Sequence, residues 1–569
     1  MRKFLRIFLL MIAVCGVLGW AAYQVIAPSG AALSRYIPGG ALLYLQANEL
    51  SSLLSDWDRS PEKQSWLQSS NYEEFSRSGL FLRLKDAGDQ FAETAGLPPD
   101  EVFLKQVSGK QSALALYDIG KLQFLYLSRL PLANSMQTGL WQTRNKFETR
   151  SAGGETFYFR RDPGSEREVA FAIHGDYLLL ATREDLMAGA LQLLAGGNSP
   201  TIEADSWWAR SVAASGPTGD IRMVLNLERI VATPYFRSYW IQRNVTDIKK
   251  YASAVSDLFL TGNVFREERV LLKASPPFTG DTREEDFRAA SDLARLVSSG
   301  AGFYEASAAP SAEECLELLN TKILSPRLAE NNVARFAPQF ELSQGVTGSA
   351  LDMETHIDEA PIREAAATDR AAPLKALLAK NRVRAMLQAR STTAGSDGVF
   401  VHLHSAVAFL AENDWDDAPV RATLAEVVGR DLTTLQLGTA WRQQNGYQEL
   451  DGLRPLLVAT RGKYMFVSDD SVLMNGLLAN MSRPSNPPAL LIAGFDHQRE
   501  RDNLARLSGV VDHSSSSPAE MQFMSARPEF FSKNMASLST VLSAVRSENI
   551  VIRDAGDKLV QTVIYQWNR

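Results

Sequence analysis

Cysteine is almost missing from this 569-residue chain. One of the two, Cys15, lies inside an apolar run, and the other is Cys315 in Glu313-Glu314-Cys315-Leu316-Glu317. The region beyond the run therefore cannot close an intrachain disulfide. Ordinary apolar cores must hold it, not covalent staples. A lone Cys315 reads as an inert helix residue in preference to a nucleophile or an intermolecular bridge. Histidine is also scarce, at six residues, and there is no cationic excess: 59 Lys and Arg face 65 Asp and Glu, for a formal net charge of −6. That balance argues against a nucleic-acid partner. With 45% apolar and 22% charged residues, the composition is that of an ordinary globular protein,.

Catalytic motifs are missing too. There is no G-x-S-x-G, no G-x-x-x-x-G-K-[ST], no H-E-x-x-H, and no G-x-G-x-x-G after a strand. Ser108-Gly109-Lys110-Gln111-Ser112 lacks the upstream glycine of a phosphate loop and reads as a turn. Ser60-Pro61-Glu62-Lys63 fits S-x-x-K, but the S-D-N and K-T-G partners of that chemistry are absent. The sequence assigns no catalytic residue, no cofactor and no metal.

What the chain does have is a single apolar run of membrane-spanning length. Arg2, Lys3 and Arg6 precede Ile7 to Tyr23, and Val25-Ile26-Ala27 prolong the run to Pro28. About 20 helical residues cross the ~30 Å hydrocarbon core of a bilayer. The cations on the N-terminal side place that end in the cytoplasm and the bulk of the chain outside. Residues 1–27 are thus expected to be a signal anchor in a bacterial inner membrane, with the remainder periplasmic. A cleaved signal peptide, cut near Gly19-Trp20-Ala21 or Ser29-Gly30-Ala31, and a lipid anchor at Cys15 are the rivals. All three lead to the same compartment.

Two stretches align without a gap. Gly175-Asp176-Tyr177-Leu178-Leu179-Leu180-Ala181-Thr182 leads to Leu186-Met187, and Gly462-Lys463-Tyr464-Met465-Phe466-Val467-Ser468-Asp469 leads to Leu473-Met474. Each predicts a tight turn, a buried strand and an amphipathic helix. Ile37-Pro38-Gly39-Gly40-Ala41-Leu42-Leu43-Tyr44 similarly resembles Val297 to Tyr304, and Ala252 to Ser256 resembles Ala536 to Ser539. The separations, about 260, 287 and 284 residues, suit an internal duplication. The expected units are module 1 at 28–274, a linker at 275–289 around Pro276-Pro277, and module 2 at 290–569. His513 to Pro518 reads as a surface insertion.

Strands are predicted at Ala113 to Tyr117, Leu122 to Leu127, Phe157 to Arg160, Val169 to Ile173 and Tyr177 to Ala181, with a hairpin turn at His174-Gly175-Asp176. Helices are predicted at Arg183 to Leu194 and at about Asp247 to Phe259. Ile550 to Arg553 and Lys558 to Tyr565 form a terminal hairpin. Short connections imply antiparallel pairing, so the expected fold class is α+β: a transmembrane helix followed by two related modules of antiparallel sheet with packed helices.

Few residues could carry chemistry. His402 and His404 share one face of a strand and could supply two zinc ligands. The third would come from His174, His356, His497, His513, Asp414, Asp416 or Asp417. The plainer alternative is a polar strand face. Acid pairs, as at Asp414-Trp415-Asp416-Asp417 and Glu284-Glu285-Asp286, with Trp207-Trp208 and Trp240, could serve glycoside chemistry or simply be surface and core. Arg370 to Arg390 carries six cations and predicts a basic amphipathic helix after Pro373, which could meet anionic lipid or an acidic partner.

Ile37 to Tyr44, Leu114-Ala115-Leu116-Tyr117-Asp118 and Gly175 to Leu179 carry a resemblance to an uncharacterised family of bacterial signal-anchored extracytoplasmic proteins. The resemblance implies location and architecture, and it implies no activity. The expected function is a membrane-tethered, non-catalytic interaction or assembly protein of the envelope, partnered by the membrane and by an unknown envelope protein. An envelope hydrolase with a metal at His402 and His404, and a binder of lipid or apolar ligand between the modules, are the alternatives.

Overall fold

The computed structural model describes residues 32–234, 248–275, 284–324, 361–395, 401–432, 440–450, 455–503 and 544–567. The expected anchor, the Pro-Pro linker, His513 to Pro518 and Ala536 to Ser539 lie outside these residues. Among the described residues no helix is long and apolar enough to cross a membrane.

The chain is α+β, built on one antiparallel sheet. Its strands in chain order are β1 (Leu43–Asn48), β2 (Gln111–Asp118), β3 (Gln123–Arg129), β4 (Glu148–Ala152), β5 (Glu155–Arg161), β6 (Glu168–His174), β7 (Tyr177–Ala181), β8 (Ile221–Asn226), β9 (Tyr251–Thr261), β10 (Val264–Lys273), β11 (Phe303–Ala308), β12 (Val383–Ala394), β13 (Val401–Ala411), β14 (Trp441–Gln443), β15 (Gln448–Leu450), β16 (Leu456–Arg461), β17 (Tyr464–Ser468), β18 (Leu491–Asp496), β19 (Val545–Asp554) and β20 (Lys558–Trp567).

From one edge the pairings run β4-β5-β6-β7-β3-β2-β1-β8-β9-β10. β10 then pairs with β20, and the sheet continues β20-β19-β18-β11-β12-β13-β17-β16-β15-β14 to the far edge. At the junction Val264 pairs with Gln566 and Leu272 with Lys558, around Glu268 opposite Thr562.

Side-chain alternation decides what covers each face. In β7, Leu179 and Ala181 point into a core with Tyr44, Leu186, Met187, Leu191 and Trp208. Leu178 and Leu180 point the other way, to Phe91, Phe103 and Phe171. β17 repeats this. Phe466 packs with Leu473, Met474 and Leu293, whereas Met465 and Val467 pack with Leu374, Leu424 and Cys315. Burial on both faces explains why these strands read as unbroken apolar runs. The preceding turns need a left-handed residue, supplied by Gly175 and Gly462, each at φ 56°,.

The first face therefore carries the helices Glu184–Leu194, Ser206–Ala214, Glu284–Ala294 and Ser471–Ala479. The second carries Gly79–Ala95 and Glu101–Val107 over the first half of the sheet. Ala312–Leu319, Pro361–Asn381 and Asp417–Leu432 cover the second half.

Two expected helices are corrected. The helix expected at about Asp247 to Phe259 is mostly strand β9, whose small residues Ala252, Ser253, Ala254 and Ser256 are buried between neighbouring strands. Asp257 is fixed there by a bidentate pair with Arg222 at 2.7 and 2.9 Å. Pairing on both sides overrides a helix-neutral local sequence. The basic segment from Arg370 to Arg390 is also split. Its helix ends at Asn381, Arg382 turns the chain at φ 54°, and Arg384 and Arg390 stand on β12. Pro373 is interior to that helix and does not open it. Helix Glu284–Ala294 occupies the second part of the segment that composition marks as linker.

Candidate functional site

Two apolar surfaces stand out. The first is the set of short helices between β1 and β2. Leu50, Leu53, Leu54 and Trp57 recur at helical spacing, which makes Leu50–Arg59 amphipathic. Neither this helix nor Pro61–Leu67 contains a buried residue. Ser60 caps the second helix by accepting from the Lys63 amide at 3.1 Å,. Lys63 Nζ bonds Asp58 at 2.6 Å and Glu101 at 2.6 Å, and Lys105 Nζ closes a ring to Asp58 at 3.1 Å and Glu101 at 3.0 Å. The ring ties these helices to Glu101–Val107. Hydrogen bonds to Lys63 and Lys105 pull the Asp58 carboxyl down to about 2. Those to Asp58 and Glu101 raise Lys63 above the usual lysine range.

The S-x-x-K pattern is thus a helix cap followed by a firmly protonated lysine, which is the opposite of a general base. Phe91 and Phe103 face the sheet, but Trp57, Leu67, Leu82, Leu84, Val102 and Leu104 face solvent, with Val102 62% and Leu82 54% exposed. Leu132 and Met136 add to the exposed apolar residues in this half.

The second surface is the middle of the sheet, on the side of Phe91. Cross-strand registers place Arg390, Phe303, Phe495, Glu548, Tyr565, Phe265 and Leu260 in one transverse row over β12, β11, β18, β19, β20, β10 and β9. The next row toward the strand interiors holds Gln388, Glu305, Ala493, Ile550, Val563, Glu267 and Leu258, so apolar and acidic side chains alternate across the middle of the sheet. Most of these side chains are half-buried, unlike the closed cores on either side.

At one end the Arg390 guanidinium lies 5.6 Å from the Phe303 ring centroid and bonds Gln388 at 3.1 Å. Its Nε is buried without a hydrogen-bond partner. Burial lowers Arg390 from the usual guanidinium range. Burial, then the neighbouring Arg390 charge, lowers Lys322. Neither cation makes an ion pair among the described residues. Mid-row, His497 is buried, 3.6 Å from Glu548 and edge-on to Phe495 at 4.6 Å. Burial and Glu548 push the Tyr565 hydroxyl up to about 12.

The residues singled out in the sequence are dispersed. His402 and His404 share a strand face with ring centroids 6.4 Å apart. His404 Nε2 bonds Thr393 at 2.9 Å, and its Nδ1 lies 3.6 Å from Asp470, which caps the helix Ser471–Ala479. Asp414, Asp416 and Asp417 sit beyond the opposite end of β17, about 17 Å along the strand,. His174 pairs with Glu155. His356 and His513 lie outside the described residues, as does Trp240. Among the described residues no three potential ligands gather around a metal position.

The acid pairs are helix starts. Asp417 pairs with Arg421, and Glu285 and Asp286 with Arg384. Trp208 is buried edge-on against Tyr44 at 4.9 Å, so it is core. Cys315 is fully buried, and burial pushes its thiol up to about 12, away from nucleophilic use,.

Lys322 and the Phe303–Phe495 pair were not picked out from the sequence, and Arg390 was read there only as one cation of a basic helix. Their signal exists only in register: Arg390 faces Phe303 because β12 pairs with β11, while the local sequence suggests a helix.

No known protein family matches the chain, and no curated protein does. Three solved structures align with part of it, all of TP0453. Crystal form IV covers 42% of this chain and 79% of that one at 11% identity, with a TM-score of 0.23. Crystal form I covers 44% and 82% at 10% identity and 0.24. A likeness at that level carries no argument about function.

Proposed function

We propose that this protein is a membrane-tethered, non-catalytic interaction or assembly protein of the bacterial envelope. It would be held in the inner membrane by residues 1–27, with the bulk of the chain periplasmic. One observation carries the interaction reading: the exposed apolar side chains of the helices between Leu50 and Val107. Large apolar surface left open on a folded protein marks a place where something docks.

The test is a photo-crosslinking residue at Leu82 or Val102 in intact envelopes. A discrete protein adduct is expected there and not at Arg210, exposed on the helix Ser206–Ala214 of the opposite face. No adduct at any position of this layer would overturn the reading. Topology has its own check. A reporter after Arg569 should be active outside the cytoplasm, and the mature protein should retain Met1 to Pro28. A soluble form beginning near Ala22 or Ala32 would refute the anchor while leaving export intact.

We further infer that 28–274 and 290–569 are related modules. The strand order on either side of the β10–β20 junction supports this, since each strand of the first half has a counterpart ten strands later. Tyr177 follows a Gly175 turn as Tyr464 follows Gly462. Asn226 and Asp496 each end a strand and accept from the amide of Arg229 or Arg499. The counterpart of β9 on this reading is β19, and Ala536–Ser539, matched to Ala252–Ser256 in the sequence, lies outside the described residues. The second functional reading, a binder of apolar ligand between the modules, is favoured by the half-buried central rows.

A further inference from the structure

The two halves of the sheet meet through equivalent strands. Leu260 opposes Phe265 in the hairpin β9–β10 as Asp554 opposes Leu559 in β19–β20. Both hairpins shift register at the same place, beside the pairs Tyr251–Lys273 and Val545–Trp567. Bulges are built features of a fold, so one that recurs at the matching position argues for common construction. On this match Leu260 corresponds to Asp554, Val264 to Lys558, Glu268 to Thr562, Leu272 to Gln566 and Lys273 to Trp567.

β10 and β20 pair with each other over that same extent. Val264 opposes Gln566, Leu272 opposes Lys558, and Glu268 faces Thr562 midway. Exchanging each residue for its counterpart returns the same pairs, as an isologous two-fold contact requires. The flanking amides obey it too. Lys273 donates to the Asp557 carbonyl at 3.0 Å, and Trp567 donates to that of Asn263 at 2.8 Å. Two identical modules forming a dimer would use this geometry.

The side chains break the symmetry. β10 carries Arg266, Glu267, Glu268 and Arg269 in its middle, whereas β20 from Leu559 to Trp567 carries no charge. Lys273 Nζ bonds both carboxylate oxygens of Asp554, at 2.8 and 2.9 Å, and both side chains are almost fully buried. If β10 paired with a second β10, Glu268 would face Glu268, and Lys273 would meet Leu260 in place of Asp554. If β20 paired with a second β20, Asp554 would meet Trp567. Like charges directly opposed, and a buried charge stripped of its partner, are both unfavourable. Each strand is thus built for the other and against its own copy.

On the relation between the modules inferred above, we propose that the edge of β10 is a docking surface for one kind of partner, the β20 edge of a second module. The chain is then a dimer-type pair joined by its linker. Lys273 and Asp554 make the pairing exclusive, and Glu268 reinforces it.

The test uses the full chain in detergent, with a protease site in the linker between Lys273 and Glu284, cut after purification. Native mass spectrometry should find the two fragments still held one to one. When isotopically labelled and unlabelled cut chains are mixed, every exchanged particle should contain one of each fragment. Lys273→Met leaves Asp554 alone and should weaken the pair about a hundredfold. Lys273→Trp with Asp554→Leu copies the residues at the matching end of the joint. The fragments should then associate again, with pairs of the C-terminal fragment among the products, and adding Glu268→Thr should release pairs of the N-terminal fragment. Fragments that part on cutting, self-pairs in the unaltered chain, or an undiminished Lys273→Met pair would overturn the proposal. If Lys273→Met unfolds the uncut chain as well, the double variant decides: self-pairs support the proposal and their absence overturns it. Halves that fail to superpose in an experimental structure would remove the relation between the modules and the proposal with it. Halves that superpose yet part on cutting would remove the proposal alone.

Discussion

Both halves of the sheet carry helices inserted after their first strand, and the first helices of the two insertions treat their apolar residues in opposite ways. In the second half Cys315, Leu318, Leu319, Leu374 and Leu378 close over β13, β16 and β17 and are buried in one core with Val420 and Leu424. In the first half Leu50–Arg59 and Pro61–Leu67 bury nothing fully, and an ion ring does the fastening. Exposed ion pairs are weak fasteners, because water and salt screen them. Leu50–Arg59 and Pro61–Leu67 therefore contribute little apolar burial to the fold. Within the first insertion the contrast recurs: Phe91, Ala95, Phe103 and Val107 are buried against the sheet, whereas Trp57, Leu67, Leu82, Leu84, Val102 and Leu104 stay exposed.

The sharpest break of this contrast is Leu424→Ala. Leu424 is fully buried, and a leucine truncated at such a site costs about 2–5 kcal/mol. Denaturant unfolding should show that loss. A cost under about 0.5 kcal/mol would mean that the second insertion is not a closed core.

Leu82→Glu with Val102→Glu should do the reverse. These side chains already face solvent, so stability should move by no more than about 0.5 kcal/mol, while capture of the envelope partner is lost. Unchanged capture together with a large loss of stability would erase the distinction between the two insertions.

Acid should loosen the first insertion in a defined window. Asp58 is held down to about 2 in the fold by Lys63 and Lys105. A depressed carboxylate contributes stability that is full above its ordinary value near 3.8 and fades as pH falls through about 2. Amide protection factors in Leu50–Leu67, corrected for the intrinsic pH dependence of exchange, should fall between about pH 4 and 2 and be unaffected between about 5 and 8. Asp58→Asn should abolish this step.

The smallest effect is expected at the edge histidines. His402→Ala with His404→Ala should leave fold and envelope role unchanged, since His402 is exposed and His404 contacts Thr393 and Asp470 without other ligands nearby among the described residues. Stoichiometric zinc in the purified protein, lost in that variant, would promote the hydrolase alternative.

The Gly175 and Gly462 segments were legible because their chemistry is local. A glycine that must turn left-handed, followed by apolar residues bound for two faces and a helix start, leaves one solution. The terminal hairpin was legible for the same reason. β9 was not. Ala-Ser-Ala-Val-Ser suits a helix as well as a strand, and only flanking strands with Asp257 locked to Arg222 decide it. The basic segment failed similarly, since the turn at Arg382 follows from pairing with β11 and β13 and not from any residue near it.

The sequence by itself determined the covalent and compositional limits: no intrachain disulfide, one run of membrane-spanning length, and strands and turns whose signals lie within a few residues. Tertiary structure alone decided what meets across strands. Arg390 beside Phe303, the half-buried central rows, and the exposure of the Leu50–Val107 helices all depend on pairings between residues up to hundreds of positions apart. Periodicity says that a side chain shares a face with its near neighbours. It does not say which distant strand lies alongside, or whether anything covers that face.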